Sequence, residues 1–182
     1  MAEDLEQVLP LARQTVPGFV EELWQRLSEP GETADDFGRR AQGAFIEEGN
    51  MIVADLNDSV AAMLISYPMA DTPNPHVPGM DDMLKPLIRL FSKAAGTWYL
   101  HGLATAPAFA GQGLGTRLMG MAEDLARRGE KNRISLVVVD TNLQAISFYD
   151  RRGYATTASE PIVKAGWDTT ALNWLLMEKP LP

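Results

Sequence analysis

A chain of 182 residues, 46% hydrophobic and 22% charged, carries enough apolar material for one domain with its own core, predicted here to span residues 1–182. The chain has no cysteine, which excludes disulfides, thiolate metal ligands and a cysteine nucleophile. His76 and His101 stand far apart with no HExxH or EF-hand spacing, so no metal is expected. A net charge of −8 argues against nucleic acid as a partner, and the acidic start without an 18-residue apolar run argues against a membrane span or secretory signal and for the cytoplasm.

Residues 1–50 hold 11 of the 24 acidic groups against 4 basic ones, a surface that keeps the chain soluble and also suits a cationic amine. Leu5, Val8, Leu9, Ala12 and Val16 recur at helical spacing, as do Phe19, Leu23, Trp24 and Leu27, and then Phe37, Ala41, Ala44 and Phe45. Three helices are therefore predicted. Pro10 should kink or delimit the first, Pro17-Gly18 separates it from the second, and Pro30-Gly31 closes that one. Met51 to Asp55 and Val60 to Met69 are short apolar runs around the turn-prone pair Asn57-Asp58, which reads as a hairpin.

Residues 70–80, with Pro73, Pro75, Pro78 and Gly79, read as an irregular loop, after which Met83, Leu84, Leu87, Ile88 and Phe91 return to helical spacing. Ordinary packing explains this Met-rich stretch more simply than a substrate lid does. A strand is predicted from Trp98 to Thr105, followed by a Gly-rich turn. A helix then runs from Thr116, with Leu118, Met121, Ala122 and Leu125 as its apolar stripe, and ends before Gly129. Ile134 to Val139 is an uninterrupted aliphatic run, the pattern of a strand buried on both faces. A further helix starts near Asn142 as N-cap and ends near Gly153, and Leu172, Trp174 and Leu176 alternate along a closing strand.

The stretch from Leu103 to Thr116 places Gly111, Gly113 and Gly115 between a strand and the first turn of a helix. Glycines let the backbone curl so that several N–H groups point inward, and a helix N-terminus adds unpaired donors and partial positive charge; such places bind phosphate. No Lys-Ser/Thr pair follows, so the turn is not a P-loop. The third glycine falls one residue early for a dinucleotide fingerprint, and the 42 residues after Asp140 are too few for a doubly wound domain.

Two motifs together resemble the GNAT N-acetyltransferase superfamily, from about Met51 to Lys179 and more loosely in the helical first part. The superfamily's [Gln/Arg]-x-x-Gly-x-[Gly/Ala] signature aligns with Ala110, Gly111, Gln112, Gly113, Leu114 and Gly115. Its Asn…Ala…Phe-Tyr…Gly-[Phe/Tyr] signature aligns with Asn142, Ala145, Phe148, Tyr149, Gly153 and Tyr154. The chain departs from the pattern at Ala110, where Gln or Arg is usual, and at its start, where such families open with a strand. Because backbone N–H groups of the turn hold the pyrophosphate in that family, the missing side chain should weaken the site without abolishing it, with Gln112 as a local donor.

The resemblance implies an α/β fold of α+β mixed-sheet type: a central twisted, mostly antiparallel sheet with splayed parallel middle strands, flanked by helices. It implies acetyl-CoA as co-substrate, with its pyrophosphate on the turn from Ala110 through Gly111, Gln112, Gly113, Leu114 and Gly115 to Thr116. The pantetheine arm would bond to the backbone of Leu103, Ala104 and Thr105, and the Thr105 N–H would polarise the thioester carbonyl. Positions 142, 145 and 149 share one helix face. Asn142 would bond the pantetheine amide, Ala145 would leave room for the arm, and Tyr149 would protonate the departing thiolate. Phe148 and Tyr154 read as core.

His101 is the ordinary base of its strand, pointing to the same side as Leu103 and Thr105; a packed or hydrogen-bonded role competes with a catalytic one. Asp71, Asp81 and Asp82 are further candidates for the base. The acceptor would be an amine of a small molecule or peptide. An acyl-CoA-binding module without catalysis, an acyltransferase for another acyl group and one for a protein N-terminus are the alternatives. A homodimer would form by exchange or pairing of the last strand near Trp174.

Overall fold

The computed structural model describes residues 2–72 and 79–182; His76, Pro73, Pro75 and Pro78 lie outside the described residues. The chain divides into two compact units, one of Met1–Ser66 and His101–Ala122, the other of Tyr67–Leu100 and Glu123–Pro182.

The first unit opens with helices α1 (Ala2–Thr15), α2 (Phe19–Leu27) and α3 (Ala34–Glu47), and among the described residues no strand precedes them. Helix α1 runs through Pro10 without interruption. Gly18 separates it from α2 at φ 76°, a conformation that L side chains rarely adopt. Thr33 caps α3 in a reciprocal box: its hydroxyl accepts from the Asp36 N–H while the Asp36 carboxylate accepts from the Thr33 N–H. Arg13 ties the three helices together, pairing with Asp35 of α3 and Glu21 of α2 while its guanidinium lies 4.9 Å over the Trp24 ring.

The buried residues of α3 are Gly38 and Gln42, whereas Ala44, one of its predicted apolar positions, is exposed. The reason is the indole of Trp24, which fills the space above Gly38. A Cβ at position 38 would collide with ring atom Cζ3 and come within 2.8 Å of Cη2. Gly38→Ala should therefore cost about 2 kcal/mol by overpacking. The thermal midpoint should fall by roughly 4–8 °C, read by calorimetry, and an unchanged midpoint would show that the helices slide apart at no cost.

Strands β1 (Met51–Asp55) and β2 (Val60–Pro68) pair antiparallel, with Leu56 and Ser59 exchanging N–H···O bonds of 2.9 and 3.2 Å. Asn57 and Asp58 between them stand at φ 55° and 59°, as a two-residue hairpin turn that follows the right-handed strand twist requires. Val60 through Ile65 are buried, and the Val60 N–H donates to Gln7 Oε1 of α1 at 2.8 Å. After β3 (Trp98–Thr105), the Ala106 N–H returns to the Ala61 carbonyl at 2.8 Å.

Helix α5 (Leu114–Arg128) begins two residues before the predicted Thr116, and its buried stripe is Leu114, Leu118, Met119, Ala122 and Ala126. Met121, expected in that stripe, is 45% exposed.

In the second unit Asp81 accepts from the Met83 N–H and caps a short 3-10 turn, Asp82–Leu84, that leads into α4 (Lys85–Lys93). Met83, Leu87 and Leu90 are buried, so the methionine of this stretch is packing. Trp98, Tyr99 and Leu100 of β3 pair in parallel with Ile134, Ser135 and Leu136 of β4 (Arg133–Val139), and a buried bond of 2.6 Å joins the Thr97 and Ser135 hydroxyls. Strand β4 continues antiparallel to β6 (Asn173–Pro180), which pairs in turn with β5 (Ala155–Pro161).

The sheet order is β1-β2-β3-β4-β6-β5, so the fold is a mixed α/β one whose parallel pair sits in the middle. Strand β6 has β4 on one side and β5 on the other. Helix α5 ends at Arg128, before Gly129 as expected, and a turn follows in which Glu130 stands at φ 56° and the Lys131 N–H reaches back to Ala126 O. A Cβ at Gly129 would sit 3.0 Å from Cζ3 of Trp98. Strand β5 escaped the sequence reading, since none of its residues is buried and Pro161 closes it.

Candidate active site

In the first unit Pro107–Phe109 forms one 3-10 turn, and Ala110 follows it in extended backbone, exposed. Gly111 and Gly113 then adopt φ 77° and 78° on either side of Gln112, and the Arg117 N–H closes the first turn of α5 on Gly113 O at 3.1 Å. None of the backbone N–H groups from Gly111 to Thr116 donates to a described residue. A Cβ built at Gly111 or Gly113 would meet nothing within 4 Å. The turn is thus an open concavity of unsatisfied donors at a helix N-terminus, with positive partial charge and no side chain in front of it. Gln112, Gly115 and Thr116 keep some exposure, while Leu114 is buried at 9% and fixes the helix start in the core.

Leu103 and Thr105 are half-buried and Ala104 is buried, all three lying beyond Leu100, where the β3 ladder with β4 ends. His101 shares their strand, its ring 4.8 Å from the ring of Phe45 at 46°. Its residue surface is open to water, yet burial by surrounding protein pushes its pKa down to about 4. The water it keeps opposes that fall. On both counts the imidazole is neutral at pH 7, as a base must be.

In the second unit Asn142 caps α6 (Leu143–Asp150), its Oδ1 accepting from the Ala145 N–H at 3.1 Å. That use of the carbonyl leaves Nδ2 as the group with hydrogen-bonding capacity. Helix α6 ends on Gly153 at φ 87°, with the Tyr154 N–H bonded back to Tyr149 O. Tyr149 is 8% exposed, packed edge-on to Phe148 at 5.4 Å and tilted against Tyr154 at 5.7 Å. Among the described residues no hydrogen bond engages its hydroxyl. Burial pushes its pKa up to about 12. Tyr154 is 3% exposed and raised still further, by burial first and by Glu123 second, in keeping with a core role.

The carboxylates considered as bases are engaged elsewhere in this unit. Asp71 pairs with Lys131 at 3.1 Å, Asp81 caps its 3-10 turn and Asp82 pairs with Lys85. Asp140, at the end of β4, accepts from the Leu172 N–H, the Asn173 N–H and Asn173 Nδ2 at 2.9–3.1 Å. It holds the start of β6. Among the described residues no group of three or more potential metal ligands occurs, and no helix is long and apolar enough to cross a membrane.

A family model described as the acetyltransferase (GNAT) family matches residues 16–154. An uncharacterized N-acetyltransferase of Bacillus subtilis (strain 168), YesJ, is 33% identical over 109 residues, 60% of this chain and 54% of its own, so the match spans about half the length of that relative. Among solved structures, Ard1 from Thermoplasma volcanium superimposes with a TM-score of 0.65 at 17% identity, covering 100% of this chain and 94% of its own. A GNAT family acetyltransferase from Elizabethkingia anophelis with acetyl-CoA bound gives a TM-score of 0.56 at 13% identity, covering 78% and 82%. At these identities the two structures speak for the fold alone.

Proposed function

The chain belongs to the acetyltransferase (GNAT) family, and from that premise we propose that it moves an acetyl group from acetyl-CoA directly to an amine of a small molecule or peptide. The observation that carries the proposal is the run of unsatisfied N–H groups from Gly111 to Thr116, held open by two glycines at positive φ. A pyrophosphate fits such a concavity, since it brings acceptor oxygens and negative charge to donors and a positive helix end, and no Cβ stands in its way.

Each residue then has a task set by its own chemistry. The turn from Ala110 to Thr116 binds and orients the coenzyme through its backbone. The backbone of Leu103, Ala104 and Thr105 holds the pantetheine arm, and the Thr105 N–H donates to the carbonyl oxygen on which negative charge develops. His101 takes the proton that the acceptor nitrogen loses as it attacks. In the second unit Asn142 Nδ2 donates to an amide oxygen of the arm, and Tyr149 donates its phenol hydrogen towards the sulfur as the carbon–sulfur bond breaks. The whole chain, residues 1–182, works as one acetyltransferase domain in this reading.

Release of free thiol from acetyl-CoA, followed against a panel of small amines and short peptides, tests the activity. Saturable thiol release with at least one amine is expected. Because burial holds the His101 pKa below its ordinary 6.5, its protonation should not limit kcat between about pH 7.5 and 9. Binding of acetyl-CoA without turnover by any amine would leave a binding module, and release that loses activity on acidification through a pKa clearly above 6.5 would assign the base elsewhere.

A further inference from the structure

The first unit is acidic, and its arginines are almost all committed. Arg13 holds Asp35 and Glu21, Arg26 holds Glu22, Arg39 holds Glu6 and Asp36, and Arg40 holds Glu32. The unit contains no lysine, and from His101 to Ala122 the sole residue among Asp, Glu, Lys and Arg is Arg117. Arg117 is exposed, and among the described residues it holds no carboxylate and makes no hydrogen bond through its side chain.

Its place in the helix matters as much as its freedom. Arg117 lies in the first turn of α5, immediately after the unsatisfied N–H groups of Gly111 to Thr116. Helical side chains lean towards the N-terminus and cover the turn that precedes them. The positions Arg117 leans over are Gly113, which has no side chain and open space at its Cβ, and Leu114, which points into the core. A guanidinium on a long flexible stem thus has an unobstructed way back towards the phosphate-binding turn. The side chain that the family motif would place there, at position 110, is an alanine.

We propose that Arg117 binds a phosphate of acetyl-CoA, supplying from the first turn of α5 the charge that Ala110 lacks. This rests on the coenzyme reading of the Gly-rich turn. Guanidinium and phosphate form charge-assisted, frequently bidentate bonds, and a cation with no acidic partner gives none up when it takes one. The coenzyme offers two sources of that chemistry, the pyrophosphate and the ribose 3′-phosphate.

The test is calorimetric titration of the full chain and of R117A, R117K and R128A with CoA and with 3′-dephospho-CoA. Arg128, at the far end of the same helix and exposed, is the control for loss of a helix cation. R117A should weaken CoA binding about tenfold while R117K retains most of the affinity, R128A stays within twofold and thermal stability is unchanged. The loss should shrink as salt is raised. If it persists with 3′-dephospho-CoA, the pyrophosphate is the partner; if it vanishes there, the 3′-phosphate is. R117A binding both ligands within twofold of the parent would overturn the proposal and leave the coenzyme site standing. A parent chain that binds neither ligand would overturn the coenzyme reading and the Arg117 proposal with it.

Discussion

Gly113→Val should reduce acetyl-CoA affinity by about a hundredfold or more while leaving the protein folded, because the two effects have different physical origins. The cost to folding is that of a branched residue forced towards φ 78°, about 2 kcal/mol, which lowers the thermal midpoint by roughly 4–8 °C. No packing loss adds to it, since a Cβ at this position touches nothing within 4 Å. The cost to binding is larger, because a valine side chain would occupy the open space in front of the N–H groups of Gly111 to Thr116. Calorimetric titration beside a melting curve separates the two. Affinity that survives the substitution would mean that the coenzyme does not lie on this turn.

Tyr149→Phe should lower kcat by about a hundredfold and leave the acetyl-CoA dissociation constant within twofold. The substitution keeps the ring contacts with Phe148 and Tyr154 and removes a hydroxyl that no described residue uses, so the fold loses little. The raised pKa refines what the hydroxyl does. A phenol at about 12 stays protonated throughout the working range, so its ionisation should cause no fall in kcat below about pH 11. Full transfer of its proton to a thiolate, whose conjugate acid lies near 8.5, is uphill by about 5 kcal/mol, so Tyr149 acts chiefly as a hydrogen-bond donor to the sulfur. Equal losses in kcat and in affinity would make Tyr149 a structural residue, and an unchanged kcat would remove it from the reaction.

The two motif-bearing turns were legible in the sequence because both depend on residues with strong local meaning. Asn142 caps α6 and Gly153 ends it, while Gly111 and Gly113 shape the turn before α5, all at the positions their chemistry suggested. The hairpin at Asn57-Asp58 was readable for the same reason.

What could not be read depends on partners distant in sequence. The buried face of α3 is set by the Trp24 indole lying over Gly38, and neither glycine nor Gln42 carries an apolar signal. Helix α5 ends at Arg128, before Gly129 as read from the sequence, but the packing of Trp98 against that glycine has no local signal. Strand β5 is an edge strand of Thr, Ser and Glu, held to α4 by Glu160 through Arg89 and Lys93, and neither pairing is a local pattern. Arg117 has the same character: only when the other arginines of its unit are seen to be paired does its freedom stand out.

The most direct measurement is calorimetric titration of the purified chain with acetyl-CoA, with NAD as the control. Saturable binding of one acetyl-CoA per chain at micromolar concentration, with no heat from NAD, is the result expected of a concavity of backbone donors that reads a coenzyme A pyrophosphate. No binding of acetyl-CoA, or equal binding of NAD, would contradict the acetyltransferase reading and leave the turn a structural feature of the fold.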